Sequence, residues 1–374
     1  MGLVRIVRLG VAVAVTITAI GMTGDAVAAR RVRPIELDFL GEQIVPTGTQ
    51  FEGTEFGGLS SLAYDADRDV FYAISDDQSL IDPARFYTLR LDLSDGVFDD
   101  GDVHVDDVTT LLDASGQPFA PESLDPEGIA VTSDGQLVVS SEGIASRQIA
   151  PFVRLFGLDG RQRGELPVPD QFLPTPTHGV RQNLGFESVA VNGRNLFVGT
   201  EGALVQDGPP ATVTAGSPAR IVRYRLNTGD VDRQLLYFTD PIAEPPVPAS
   251  SFAVNGLVEL LPLNNQFVLS MERSFSVGAP GTGNTIRIYL VKLAGAEDIS
   301  DLDSLAPVLA DIRPASKTLV IDLGELGIPL DNVEGMAFGP ELPDGRRTLL
   351  LASDNNFNPA AFTQFLVFAV GRPS

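Results

Sequence analysis

The sequence predicts an all-β chain folded as a β-propeller of four-stranded blades, five by count, with six as the alternative. Three observations lead there. A hairpin pattern recurs five times, further strand-like segments follow each hairpin, and a segment near the start can supply the strand that the last repeat lacks. The units recur about every 60–80 residues, a period that belongs to propellers and arrays rather than to a β-sandwich.

The clearest copy is Asp125–Gly143, D-P-E-G-I-A-V-T-S-D-G-Q-L-V-V-S-S-E-G. Two apolar runs flank the Asp134-Gly135 turn signal, and Glu127 and Glu142 stand at equal distances from it. Pairing the runs as an antiparallel hairpin brings those two carboxylates together at its open end. The other copies are Gly58–Asp77, Asn183–Gly202, Asn255–Arg273 and Asp331–Asn355, turning at Asp67-Arg68, Asn192-Gly193, Asn264-Asn265 and Asp344-Gly345. β-Branched, aromatic and other apolar residues between Gly, Asn and Asp punctuation are strand chemistry.

A third and a fourth strand are expected after each hairpin: Arg85–Leu93 with His104–Leu112, Phe152–Leu158 with Gly164–Val168, Arg220–Leu226 with Asp232–Phe238, and Thr285–Leu293 with Thr318–Leu323. The fifth unit has only Gln364–Val370, so Ile35–Ile44 is assigned as its outer strand, closing the ring with the chain's own termini. A sixth, degenerate blade would have to lie in Ala294–Ser316 or in the long connections, and a short helix is expected near Asp298–Leu309.

The first residues read as a secretory signal peptide over 1–29. Arg5 and Arg8 precede the apolar stretch Leu9–Met22, and Ala26-Val27-Ala28 forms the cleavage signal. The alternative is a retained anchor, but the stretch is shorter than the ~18 residues a span requires. Residues 30–374 are then expected to form one domain, secreted or periplasmic and monomeric, with no membrane span after processing.

Composition narrows the chemistry. With no Cys and only His104 and His178 as histidines, a zinc or iron site is disfavoured. A formal charge of −23 argues against nucleic acid, whose phosphates need a basic surface, and favours cations.

Aligning the hairpins gives two sets of positions. First strands start at Ser60, Glu127, Glu187, Asn255 and Glu334, and second strands end at Asp76, Glu142, Glu201, Glu272 and Asp354. Inner strands line a propeller's channel, so the acids Asp76, Glu127, Glu142, Glu187, Glu201, Glu272, Glu334 and Asp354 are expected to ring one mouth of it. Crowded like charges raise pKa values or demand a counter-cation. An all-oxygen ligand set suits Ca²⁺, ahead of Mg²⁺. The plainer alternative is a solvated rim of strand-ending acids repeated by duplication.

Arg273 follows Glu272, and Arg85 opens a third strand, so both are expected near the acids to grip a phosphate or carboxylate, or simply to neutralise the ring. Arg147, Arg181 and His178 are placed in adjoining loops, His178 as a general acid or base or merely exposed. A second acidic run, Asp95, Asp99, Asp100, Asp102, Asp106 and Asp107, lacks calcium-loop spacing and reads as a solvated turn. No G-x-S-x-G or S-x-x-K motif supports a serine hydrolase.

The ordered succession D-P-E-G-I-A-V, N-L-G-F-E-S-V-A-V, S-M-E-R-S, N-V-E-G-M-A-F and S-D-N-N-F, with the strands A-R-F-Y-T-L and I-R-I-Y-L-V, resembles the phytase-like domain family described as "esterase-like activity of phytase". The resemblance spans about Leu37 to Val370. It implies a secreted or periplasmic protein whose repeated acids carry phosphoesterase-type activity, here falling on Glu127, Glu142, Glu187, Glu201, Glu272, Glu334 and Asp354. The first copy departs from the pattern, with Ser60 where a Glu is expected.

The expected function is therefore a calcium-dependent phosphoester hydrolase acting on a small-molecule substrate. Glu127, Glu187, Glu334, Glu272 and Arg273 would be catalytic, and Arg85, Arg273, Asn183 and Asn255 substrate-binding. The scarcity of Lys weighs against a highly phosphorylated substrate such as phytate. A propeller lactonase or sugar-ester hydrolase, and a non-catalytic calcium-stabilised binding module, are the alternatives.

Overall fold

Five four-stranded antiparallel sheets stand around a common axis in the computed structural model, which describes residues 35–371. The expected signal peptide lies outside those residues. From the axis outwards, blade one is Leu59–Asp65, Val70–Ser75, Arg85–Leu91 and Val103–Thr110. Blade two is Pro126–Val131, Leu137–Ser141, Phe152–Phe156 and Gln162–Leu166. Blade three is Phe186–Asn192, Asn195–Thr200, Pro218–Arg225 and Asp230–Phe238. Blade four is Ala253–Pro262, Phe267–Ser276, Asn284–Lys292 and Ser316–Asp322. Blade five is Asn332–Glu341, Arg347–Asp354 and Phe362–Val370, completed by Leu37–Pro46.

That last strand is the expected closure. It pairs antiparallel with Phe362–Val370, from Leu37 opposite Val370 to Pro46 opposite Phe362. Inner strands of successive blades touch one another all the way round, blade five against blade one included.

Each interface between neighbouring blades holds its own apolar core, because alternate residues of every strand face one neighbour or the other. Val139 and Phe152 pack on Ile74 and Phe86 between blades one and two. Val198 and Tyr224 pack on Val138 and Val153 between two and three. Phe197 and Ile221 meet Leu260 and Val291 between three and four. Met271 and Ile288 meet Met336 and Leu366 between four and five. Leu350 and Val367 close on Leu62 and Phe71.

There is no sixth blade among the described residues. The stretch 294–315 contains turns and bends and forms neither a strand nor the expected helix. Its Ile299, Leu305 and Ile312 pack on Leu236, and it donates backbone hydrogen bonds from Ile299 to Gln234 O and from Ala315 to Leu236 O. The segment thus covers the outer edge of blade three, satisfying groups an exposed edge would leave free. No helix of the described residues is long and apolar enough to cross a membrane.

The inner strand of every blade carries a break in register: between Leu59 and Ser61, Pro126 and Ile129, Phe186 and Ser188, Leu257 and Glu259, and Val333 and Gly335. A bulge inserts a residue and re-aims its side chain. The residues passed over include Ser60, Glu127, Glu187, Val258 and Glu334, so the bulge directs the acids of blades two, three and five.

Closure of the ring can be tested at Phe368, which is fully buried and lies 5.3 Å, ring to ring, from Phe39 on the closing strand. Phe368→Ala is expected to lower unfolding free energy by about 3–5 kcal/mol in urea titration. A loss below about 1 kcal/mol would mean that the terminal blade contributes little.

Candidate active site

At the bulged end of the channel, a cavity of about 670 Å³ opens, lined by Asp76, Glu127, Glu142, Glu187, Glu201, Glu334 and Asp354. Seven of the eight acids expected in the ring therefore converge. Glu127, Glu142, Glu187, Glu201, Glu334 and Asp354 are each at most 9% exposed.

The eighth, Glu272, is elsewhere. It accepts hydrogen bonds from Tyr237 Oη (2.6 Å), the Asp240 amide (2.7 Å) and Asn255 Nδ2 (3.0 Å), and it pairs with Lys317. Blade four explains the displacement. Its last cross-strand pair is Pro262 with Val268, so the turn centres on Asn265 rather than between Asn264 and Asn265. Leu257 then faces Glu272 just before the bulge, as Pro126 faces Ser141, Phe186 faces Thr200 and Val333 faces Ser353. The place held by Glu142, Glu201 and Asp354 in other blades consequently belongs to Arg273, and the bulge position to Val258. A one-residue slip in a strand sends a side chain to the opposite face. Asn255 lies three residues before the bulge position, pairs with Ser274, and bonds to Asp240 O and Glu272, not to the channel.

Arg273 is the centre of the ring's charge balance. Its Nε and Nη2 donate to Glu334 Oε1 at 3.1 and 2.6 Å, and Nη2 lies 3.3 Å from Glu201 Oε1. Burial works against its charge, but Glu334, Glu201 and Glu187 outweigh that and hold the guanidinium pKa above its usual value.

The carboxylates respond in the other direction. Burial, then repulsion from Asp125 and Glu142, pushes Glu127 well above the ordinary range. Burial, then Glu127 and Glu142, does the same to Glu187, and burial, then Asp354 and Asp125, to Asp76. Glu142 is raised by burial and Asp125 despite a hydrogen bond with Glu187. Burial lifts Glu201 to about 7, with Arg273 opposing, and lifts Asp354 to about 8 with help from Glu334. Asp125 rises to about 7 by burial.

Two triads offer oxygen atoms all within 4.8 Å of one another: Asp125, Glu127 and Glu142, and Glu142, Glu187 and Glu201. Oxygens so spaced can share one ion with bonds of ~2.4 Å. Asp76 Oδ1 and Glu201 Oε1 are buried without a hydrogen-bond donor, although the latter is within ion-pair distance of Arg273. Clustered, desolvated and short of donors, these acids fit a metal ion. Two glycines make the approach possible: a Cβ on Gly185 would lie 2.4 Å from Glu142 O, and one on Gly256 2.2 Å from Glu201 Cγ.

Other expected groups separate from the site. Asn183 lines the cavity. Arg85 does not; it is buried, donating to Asp77 Oδ2 (2.8 Å), Tyr87 Oη (2.7 Å) and Glu55 O (2.8 Å), and so pins the small hairpin of Gln50–Phe51 and Thr54–Glu55. Arg181 donates to Ala203 O and Gly208 O, and Arg147 pairs with the exposed Glu122. His178 is about half exposed, 3.6 Å from Asp303, outside the cavity lining.

Three acids were not anticipated, among them Asp331, which lines the cavity and accepts from the Phe362 amide. Asp125 precedes the Pro126 that opens its strand, a position that reads as a turn. Glu259, hidden in the apolar run of blade four, is 1% exposed and accepts from Ser61 Oγ across the channel at 2.6 Å. Burial pushes its pKa well up, with Ser61 opposing. It lines a second cavity of about 320 Å³ on the turn side. Small residues at the matching positions, Ser61, Gly128, Ser188 and Gly335, are the signal that could have marked it.

The raised acids carry a stability consequence. Unfolded carboxylates titrate near ~4, whereas Asp125, Glu201 and Asp354 reach about 7 to 8 when folded. The folded protein holds the extra protons between those values. The stability they confer is full below ~4 and lost as pH rises through about 7–8. Chelator-treated protein is accordingly expected to show a melting temperature that falls from about pH 5 to 8; a flat or rising profile would contradict this electrostatic reading.

Among solved structures, the chain is similar to the periplasmic gluconolactonase of Pseudomonas aeruginosa, at 14% identity over 86% of this chain and 86% of that one, with a TM-score of 0.37. It is also similar to the endo-arabinase of Bacteroides thetaiotaomicron, at 10% identity over 88% of this chain and 97% of that one, with a TM-score of 0.42. No curated protein sequence matches at a significant level. Residues 54–357 match the family described as Phytase-like, esterase-like activity of phytase, and the chain belongs to that family.

Proposed function

We propose that the protein is a calcium-dependent hydrolase of small phosphoesters, acting at the acid-lined mouth of the channel. The observation that carries this reading is the convergence of seven ring carboxylates and one arginine on a single cavity. Asp125, Glu127 and Glu142, with Glu187 and Glu201 alongside, would hold the cation. An irregular set of oxygen ligands without His or Cys suits Ca²⁺ better than Mg²⁺. When bound, the ion supplies Lewis acidity towards the ester.

The chain's own groups would do the rest. Arg273, fixed on Glu334, presents a planar cation to an anionic ester group and orients it. Asp354, titrating at about 8, lies outside both triads and can hold or pass a proton near neutral pH. It is oriented by the Asn356 amide at 2.6 Å and by Asn332 Nδ2 at 3.2 Å. Side chains on five rigid blades keep this arrangement preorganised, which limits reorganisation during reaction.

Purified protein is expected to turn over a generic aryl phosphate mono- or diester with calcium, and to lose that turnover with chelator. Glu142→Gln, which removes the carboxylate common to both triads, is expected to lower kcat/KM by about 10²–10³. Absence of turnover on either ester in both conditions would overturn the proposal.

A further inference from the structure

The cavity is not acidic all round. Blade four has the longest inner hairpin of blades one to four, with both strands running 10 residues, and it continues past the bulge towards the mouth. Val254 faces Phe275 across this extension, and the Val277 amide donates to Phe252 O beyond it. Residues two apart on a strand share a face. Arg273 and Phe275 therefore point the same way, and with Val254 opposite Phe275 and Phe252 just before the strand they line the cavity. The Phe252 and Phe275 rings lie 6.2 Å apart, tilted by 40°, with Phe252 64% exposed. On the neighbouring blade five the lining includes Asn332, Asn356 and Asn358, and the cavity has no second basic residue.

Charge and shape together restrict what can enter. A polyanionic substrate would meet many carboxylates and one arginine already shared between Glu201 and Glu334. A single anionic group can be met by Arg273 with a bound cation, and the remainder of the molecule then lies along the strand towards Phe275 and Phe252. Resting on the phosphoester reading, we infer that Phe252 and Phe275 form a platform for the flat, apolar ring of a singly phosphorylated ester. The two phenylalanines set specificity for the alcohol portion. An aromatic face supports such a ring by burial and offset stacking.

Two non-hydrolysable probes test this by calorimetry on the full protein with calcium: phenylphosphonate and methylphosphonate. The platform predicts that phenylphosphonate binds about tenfold tighter. Phe252→Ala, at an exposed position, should abolish that preference while leaving methylphosphonate affinity unchanged. Equal affinities in the wild type, or a preference that survives Phe252→Ala, would overturn the platform alone. Failure of both probes to bind would overturn the phosphoester reading, and the platform with it.

Discussion

Arg273 between Glu334 and Glu201 is the contact on which the channel mouth depends. Carboxylates brought together out of water repel one another and lose hydration. One guanidinium inside their ring offsets part of that cost, while burial first, and then mutual repulsion, still holds the neighbouring acids above their ordinary pKa range. Removing one partner of such a buried pair leaves an uncompensated charge, typically at a cost of about 3–5 kcal/mol. The arginine sits there because blade four breaks the repeat, placing a cation where its sisters place an acid.

The scaffold can tolerate this because the stress is confined to the axis. Five separate apolar cores bind blade to blade, and the closing strand ties the last blade to the first part of the described chain. The displaced Glu272 contributes in its own way. It joins Lys317, Tyr237, Tyr289 and Asp240 in a partly buried network that links blade three to blade four, with Lys317 lying 4.4 Å from the Tyr289 ring centre. The network holds Glu272 on the face opposite Arg273, whose side chain enters the channel. One residue serves structure and the next serves the site.

Much of this was legible in the sequence. Period-two apolar runs around Asp134-Gly135 or Asp344-Gly345 report strands and turns directly, and the short final repeat announces its missing strand. The facing acids Glu127 and Glu142 follow from the same symmetry. Blade four was misread because its turn cluster, Leu263 to Phe267, has no single centre in the sequence, and one residue decides which face a side chain takes. Arg85 was misplaced because a third-strand start lies near the mouth but not on the channel, and Asp77 captures its guanidinium. Glu259 was hidden because an apolar run conceals a single buried acid until the opposite blade, and Ser61, is in place.

Calcium titration by calorimetry decides whether these carboxylates form a cation site. Decalcified wild-type protein should bind calcium with a saturable isotherm. Glu142→Gln, shared by both triads, should weaken that binding by at least about tenfold without loss of folded protein. Absence of calcium binding, or an affinity untouched by Glu142→Gln, would mean that these carboxylates do not form a cation site.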